Sequence, residues 1–409
     1  MKILFVVDEY FAANNGLSIS AQRFTGELRR RGHTVRILAG NACGSPDYAL
    51  PEYRVPIFDK LIKNQGVTFA FSDDSVIRRA VGWADVVYLE NCFVLASHTA
   101  KIACEMGVPC TGAFHVYPEN ITSSIGLAWA RPINSAILAG FRHFVFRRCS
   151  DIHCPAEPVA ERIRRAGYTS RLHVISNGVT PEYIFRRSPK PEEFKDKFVI
   201  LSTGRYSREK RQDVIIKAVR RSKYASKIQL IFAGQGPLRL KYLRMSLTLP
   251  NHPVFRFMSK DELMEVMSYS DLYVHAAQVE IEGMSCMEAI SSGLVPVIAK
   301  GPLTSTSQFA LDGRSLFRSG DAKELTQRID YWIEHPDELE SMRMPYHQNA
   351  QKYAIDLSSA KLEKMFMTAC GEKAADAAHL SRRQEEDAPD GESACAEDDS
   401  EAEPAAGKA

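Results

Sequence analysis

Two glutamates, Glu280 and Glu288, bracket a glycine in the segment Glu280-Ile281-Glu282-Gly283-Met284-Ser285-Cys286-Met287-Glu288. The segment lies between two strand-like runs, residues 271–275 and 294–298. Gly283 permits a tight turn, and a helix opening near Met284 and Ser285 presents unpaired backbone N–H groups at its positive end. That is an anion site made of backbone. Glu280 in the loop and Glu288 about one turn inside the helix can accept hydrogen bonds from ligand hydroxyls while the amides hold phosphate. The plainer reading is a surface acid and an ordinary helical glutamate.

A second cluster, Gly204-Arg205-Tyr206-Ser207-Arg208-Glu209-Lys210, directly follows the strand-like run 198–201. Taken alone, such a string reads as a solvated charge run. Two further places stand at strand ends: Asn15-Gly16 after the run 3–7, and His115 after the run 108–114. A glycine there lets backbone approach a phosphate closely. Gly234-Gln235-Gly236 suggests a dinucleotide turn, but Arg239 occupies the third glycine position and the fingerprint fails.

These residues need elements to hold them, and the hydrophobic pattern supplies them. Short apolar runs at 3–7, 34–38, 85–89, 108–114 and 172–175 read as strands buried on both faces. Leu17, Ala21, Phe24 and Leu28 recur at helical spacing before Gly32, and helical segments separate most of the strands. The pattern restarts at 198, with strands expected at 228–232, 254–257, 271–275 and 294–298. The fold class is α/β, as two tandem Rossmann-like, doubly wound parallel sheets with a cleft between them. We expect an N-terminal domain at 1–178, a linker at 179–197 and a second domain at 198–350. A helix at 351–372 should return to the first domain, and an acidic, disordered tail should occupy 373–409.

The Glu280–Glu288 segment, with its continuation Ala289-Ile-Ser-Ser-Gly-Leu-Val-Pro-Val297, resembles the signature of retaining GT-B glycosyltransferases of glycosyltransferase family four. The resemblance covers roughly residues 1–368 and points toward the subgroup acting on lipids or envelope glycans. It implies that Glu280 lies against the donor sugar and that Glu288 binds the nucleotide ribose. Arg205 and Lys210 would bind the donor diphosphate with Gly16, Gly204, Gly283, Met284 and Ser285 around it, and His115 would face the sugar. The catalytic set so implied is Glu280, His115, Arg205 and Lys210. Two cations can stabilise the charge growing on a departing diphosphate in place of a metal. With no Asp-x-Asp in the chain, we expect no metal and no cofactor beyond the nucleotide-diphosphate sugar, a UDP-sugar being favoured. The chain departs from the family pattern at Glu282, where the family usually carries Phe, and at Asn15, where a second glycine is usual.

Charge and composition narrow the partners. The net charge of +2 divides unevenly: residues 371–409 carry twelve acidic and four basic side chains, leaving 48 basic against 38 acidic elsewhere. A basic body suits an anionic ligand or surface. Residues 121–150 contain no Asp or Glu but hold Arg131, Arg142, Arg147, Arg148, Trp129, Ile133 and Phe144, the make-up of an interfacial helix on anionic lipid. A core helix whose arginines face water is the other reading. Nine scattered cysteines without a Cys-x-x-Cys pair argue for a reducing compartment. The opening apolar run is too short for a signal peptide. The expected place is therefore cytoplasmic, peripheral on the inner face of the cell membrane, with a lipid or glycan acceptor. Nucleic acid is not expected, since no binding motif appears. A nucleotide-sugar epimerase and a non-catalytic sugar-nucleotide-binding scaffold are the rival functions, because fold alone does not choose.

Overall fold

In the computed structural model, Lys2–Val6 (β1), Thr34–Gly40 (β2), Tyr48–Leu50 (β3), Val86–Leu89 (β6), Cys110–Ala113 (β7), Asp151–Cys154 (β8) and Arg171–Val174 (β9) form one sheet. Its order is β3-β2-β1-β6-β7-β8-β9, with every pair parallel. A short antiparallel pair, Glu52–Tyr53 (β4) with Phe69–Ala70 (β5), stands apart from it. A second parallel sheet takes Phe198–Thr203 (β10), Ile228–Ala233 (β11), Val254–Arg256 (β12), Leu272–His275 (β13), Val295–Lys300 (β14) and Leu316–Arg318 (β15) in the order β12-β11-β10-β13-β14-β15. The described residues are 1–12, 15–42, 44–53 and 68–386.

Alternation along β1 shows why helices cover both faces. Leu4 and Val6 pack with Ile77, Val81, Leu95 and Ile102, while Ile3 and Phe5 pack with Ala21, Phe24 and Leu28 of the helix Gly16–Arg30. The latter face also receives Ile355, Leu362, Met365 and Phe366 from the last helix, so the chain's end completes the core of its beginning. Val179 N donates to the Tyr353 carbonyl (2.8 Å) and Ile355 N to the Val179 carbonyl (3.0 Å), so the outgoing and returning segments run side by side. Gly178 is required there: a Cβ would lie 2.8 Å from the Ile355 Cα, and its φ of 77° favours glycine.

Besides the short β4–β5 pair, three strands of the two main sheets escape the periodicity reading. β8 reads Asp-Ile-His-Cys yet is wholly buried, because Asp151 accepts from Arg171 Nε and Nη2 (both 2.8 Å) and faces His173 Nε2 at 2.7 Å. Burial works against that carboxylate, but His173, Arg171 and Ser150 hold it well below the usual range. β3 and β15 are edge strands of three residues each, too short for a pattern. The end of the chain also differs from the reading. The last helix runs Ile355–Glu386, past the expected boundary at 372, through the helix-favouring stretch Lys373-Ala-Ala-Asp-Ala-Ala378. Residues 387–409 of the expected tail lie outside the described residues. Met1–Cys370 form one compact unit containing both sheets.

Burial raises the pKa of several carboxyls, Glu90 and Glu282 most of all. Glu90, directly after β6, is fully enclosed, and burial raises its pKa to about 8. Glu282 is also buried and raised to about 7, with hydrogen bonds from the Asn177 region offsetting part of the cost. Unfolding frees each to ionise from about 4.5 upward. The fold therefore binds more protons than the unfolded chain between about pH 4.5 and 8, and loses stability as pH rises through that window. Replacing Glu90 with the neutral isostere should flatten the loss. In calorimetric melts from pH 5 to 8.5, Glu90→Gln should lose less Tm than the wild type over the interval. An identical slope would show that Glu90 is ionised in the fold.

Candidate active site

Both parallel sheets open their loops at the carboxyl ends of their strands, and the chemistry-bearing residues gather there. β10 leads into Gly204, and the following loop returns Lys210 alongside it; a Cβ on Gly204 would sit 3.7 Å from Lys210 Cδ. The turn after β11 packs down on this loop. A Cβ on Gly234 would lie 2.1 Å from the Gly204 carbonyl oxygen, and one on Gly236 2.6 Å from Tyr206 N. The two glycines that failed the dinucleotide fingerprint are thus needed for close backbone approach.

Lys210 Nζ forms an ion pair with Glu280 Oε2, and His275 Nε2, at the end of β13, donates to the same oxygen at 3.1 Å. Burial pushes the Glu280 carboxyl up, but the Lys210 charge and the His275 hydrogen bond overcome it and bring the pKa down to about 2. Glu280 is therefore an anion across the working pH range. Its backbone is fixed too, with its N–H donating to the Leu303 carbonyl (2.8 Å) and its carbonyl accepting from Ser305 N (3.0 Å). Arg205 Nη2 lies 2.9 Å from Glu209 Oε1, which also accepts from Ser207 Oγ at 2.6 Å. Gln212 Nε2 holds the Arg205 carbonyl at 2.9 Å.

Gly283 starts the helix Met284–Ser291 with φ 94°, and a Cβ there would press to 2.6 Å from Thr306 Oγ1. Only glycine meets both conditions. The first N–H groups of this helix, Met284 and Ser285 among them, have no partner within it and form its positive end. Ser285 Oγ accepts from the Tyr273 hydroxyl (3.1 Å), which also bonds Thr203 Oγ1 at 2.8 Å, tying the helix start to β10 and β13. Across the cleft, a Cβ on Gly16 would meet Met284 Cε at 3.4 Å, so the first domain's glycine loop faces this helix. Glu288 is paired from the first domain by Arg23.

His115 is grouped differently. It lies within the first domain, 4% exposed at its side chain, with Nε2 3.5 Å from Glu90 Oε1 and its ring edge-on to His153 at 5.1 Å. Burial, and then His153, hold its pKa well below the ordinary histidine value, so the ring is neutral. His153 Nε2 donates to the Ile175 carbonyl (2.6 Å), and its Nδ1 accepts from the Tyr88 hydroxyl (2.7 Å). The structure thus brings Gly204, Arg205, Lys210, Glu280, Gly283, Met284 and Ser285 to one end of the second sheet, with Gly16 opposite. Glu288 lies further along the helix and His115 in the carboxyl-end cluster of the first sheet.

Four residues join these groups without a motif to mark them. His275 and Glu90 each stand at the end of an expected strand, a position that could have singled them out. Glu209 is hidden within its charge run, and Arg23 sits on a helix read only for its apolar face. Glu282 occupies the family's Phe position and turns away from solvent, its Oε2 accepting from Asn177 N at 2.9 Å. The segment 121–150 is partly core and partly surface. Leu138, Val145 and Phe146 are buried, while Trp129 is 78%, Phe144 58% and Ile133 44% exposed. Among the described residues no helix is long and apolar enough to cross a membrane.

Comparison with known proteins supplies the family. Residues 14–183 match Glycosyltransferase Family 4 and residues 185–353 match Glycosyl transferases group 1. Between them the two matches leave only Ile184 uncovered from 14 to 353. The chain is similar to a GDP-mannose-dependent alpha-mannosyltransferase of Mycobacterium tuberculosis, 24% identical over 73% of this chain and 79% of that protein. It is also similar to the alpha-monoglucosyldiacylglycerol synthase of Acholeplasma laidlawii, at 18% over 69% and 75%. Among solved structures, Anabaena HepE in complex with UDP and glucose superposes with a TM-score of 0.70 at 16% identity, covering 90% of this chain and all of that one. With two parallel-sheet domains and both halves matched in order, the chain belongs to glycosyltransferase family four and is a glycosyltransferase of GT-B fold.

Proposed function

We propose that this glycosyltransferase transfers a hexose with retention from a nucleotide-diphosphate sugar to a lipid or glycan acceptor at a membrane surface. The observation that carries the donor reading is the convergence of Lys210, Glu280 and the Gly283-capped helix start on the carboxyl ends of β10 and β13. A diphosphate fits there because a lysine, a neighbouring guanidinium and free helix amides together match its charge. Arg205 and Lys210 stabilise the leaving diphosphate, which lets the reaction proceed without a metal. Glu280, held as an anion, accepts hydrogen bonds from sugar hydroxyls, and Glu288 accepts from the ribose. His115, neutral and buried, contributes a hydrogen bond rather than a charge. The departing phosphate takes the proton of the attacking acceptor hydroxyl on the same face, so no protein nucleophile is assigned.

A UDP-sugar is the favoured donor, in keeping with the UDP-bound relative of like fold, although the mannosyltransferase relative is named for GDP-mannose. A membrane lipid acceptor suits the exposed apolar and basic side chains of 121–150, and one relative is named for a diacylglycerol product. Trp129, Ile133 and Phe144 offer apolar insertion, and Arg131, Arg142 and Arg147 attract anionic headgroups. The reaction then takes place on the cytoplasmic face, with the protein held peripherally.

Three measurements test this reading. Thermal shifts with UDP-, GDP- and ADP-sugars in chelator should rise for one nucleotide class, UDP expected. A ligand at 100 times its Kd adds about 2.7 kcal/mol, a readily visible shift. No response to any class would remove the donor site from this cleft. Glu280→Gln and Lys210→Ala should each lower kcat by about 10²-fold or more while the protein stays folded; unchanged turnover in either would take that residue out of the site. In flotation assays the protein should bind phosphatidylglycerol vesicles and not phosphatidylcholine ones. Each Arg→Gln change at 131 or 147 should weaken that binding several-fold, at about 1 kcal/mol per charge. Equal binding to both vesicle types would leave the face as ordinary surface.

A further inference from the structure

Arg23 is the first-domain group that reaches the helix of the second domain most directly. Its Nη2 forms an ion pair with Glu288 Oε1, and the two side chains are only 9% and 11% exposed. Its Nη1 donates to the Gly178 carbonyl at 2.8 Å, on the segment where the chain leaves the first domain, and lies 4.0 Å from Met284 Sδ. Nearby, Ser20 on the same helix donates to Asn177 Oδ1 at 3.1 Å, and Asn177 N donates to Glu282. One guanidinium therefore spans the interdomain segment and a carboxylate of the opposite domain, in surroundings with little water to weaken the charge.

We propose that Arg23 is a positioning residue, through which the first domain helps to select the ribose of the donor nucleotide. The inference rests on the reading of Glu288 as the ribose carboxylate. Arg23 engages Glu288 Oε1 and the Tyr183 hydroxyl hydrogen-bonds the same carboxylate, which fixes the side-chain rotamer; with about four lone-pair positions on a carboxylate, room remains for a ribose hydroxyl. Because Arg23 is anchored to Gly178, the ribose contact forms fully only when the helix Gly16–Arg30 and the helix Met284–Ser291 stand at this separation. Recognition of the ribose is thereby linked to the approach of the two domains, and a donor lacking ribose hydroxyls forgoes that link.

The test uses the full chain and isothermal titration with UDP and GDP, and with the 2′,3′-dideoxy form of whichever binds. Arg23→Gln should weaken binding of the intact nucleotide by about tenfold, the worth of a hydrogen bond to a charged group. It should change binding of the dideoxy nucleotide less than twofold, and Arg23→Lys should recover part of the loss. Equal weakening of both nucleotides would mark Arg23 as a structural brace, and no weakening would make it incidental; either overturns the proposal. Glu288→Gln separates the underlying reading. If that variant binds the intact nucleotide as the wild type does, Glu288 is not the ribose acid and the proposal falls with it. Should Arg23→Gln fail to fold, Arg23→Lys carries the same comparison between the two nucleotides. If neither UDP nor GDP binds the wild type, the donor reading itself is overturned.

Discussion

Every strand in the two main sheets runs parallel to its neighbours, and this one constraint organises the molecule. A parallel sheet needs a crossover for each strand, so helices cover both faces and most of the strands are apolar runs. It also gives each sheet one end at which all its strands finish. The loops there are free of packing duty and can carry polar chemistry. Glu90 and His115 of the first sheet stand at such an end, as do Gly204, His275 and the Glu280 loop of the second. Joining two such sheets in one unit turns their loop-bearing ends into the walls of a cleft.

Within the cleft the charges are arranged in opposite ways on the two sides. The second domain pairs its ions: Lys210 with Glu280, and Arg205 with Glu209. Glu280 and Glu209 are held below their usual range although burial alone would raise them. The first domain instead buries its groups neutral, with Glu90 and His115 side by side and His153 beneath them at a pKa of about 4. Fixed ion pairs around Lys210 and Arg205, with the neutral hydrogen bonders Glu90 and His115 at the end of the first sheet, suit a reaction in which charge moves on one reactant alone. In the proposed transfer the leaving diphosphate is that reactant, whereas a hydroxyl-bearing sugar or acceptor needs direction more than charge.

The fold and much of the candidate site were legible because their signals are local. Apolar runs such as Ile3-Leu-Phe-Val-Val7 can serve little but a strand covered on both faces, and Gly283 announces a turn whose φ no other residue tolerates well. What escaped was non-local. Asp151 and His153 make β8 look like surface until Arg171, His173, Tyr88 and the Ile175 carbonyl are brought to them from other elements. The glycine pair at 234 and 236 fails the dinucleotide fingerprint, and its purpose is set by a loop thirty residues earlier in the chain. Arg23 carries no local signal, because a helix's hydrophobic period says which residues it buries and nothing of what its next face will meet.

The sequence by itself determined two α/β sheets, the order of most of their strands along the chain, the glycines that shape the turns at the strand ends, and the family. These follow from hydrophobic period, backbone conformational freedom and motif spacing, all properties of neighbouring residues. Only the tertiary structure decided which acid meets which base: Glu280 with Lys210 and His275, Glu288 with Arg23, Glu90 with His115. It also decided that Glu282 turns inward against the segment joining the domains. Such pairings depend on distance in space, and a charge is stabilised or neutralised by whatever the fold brings within a few ångströms of it.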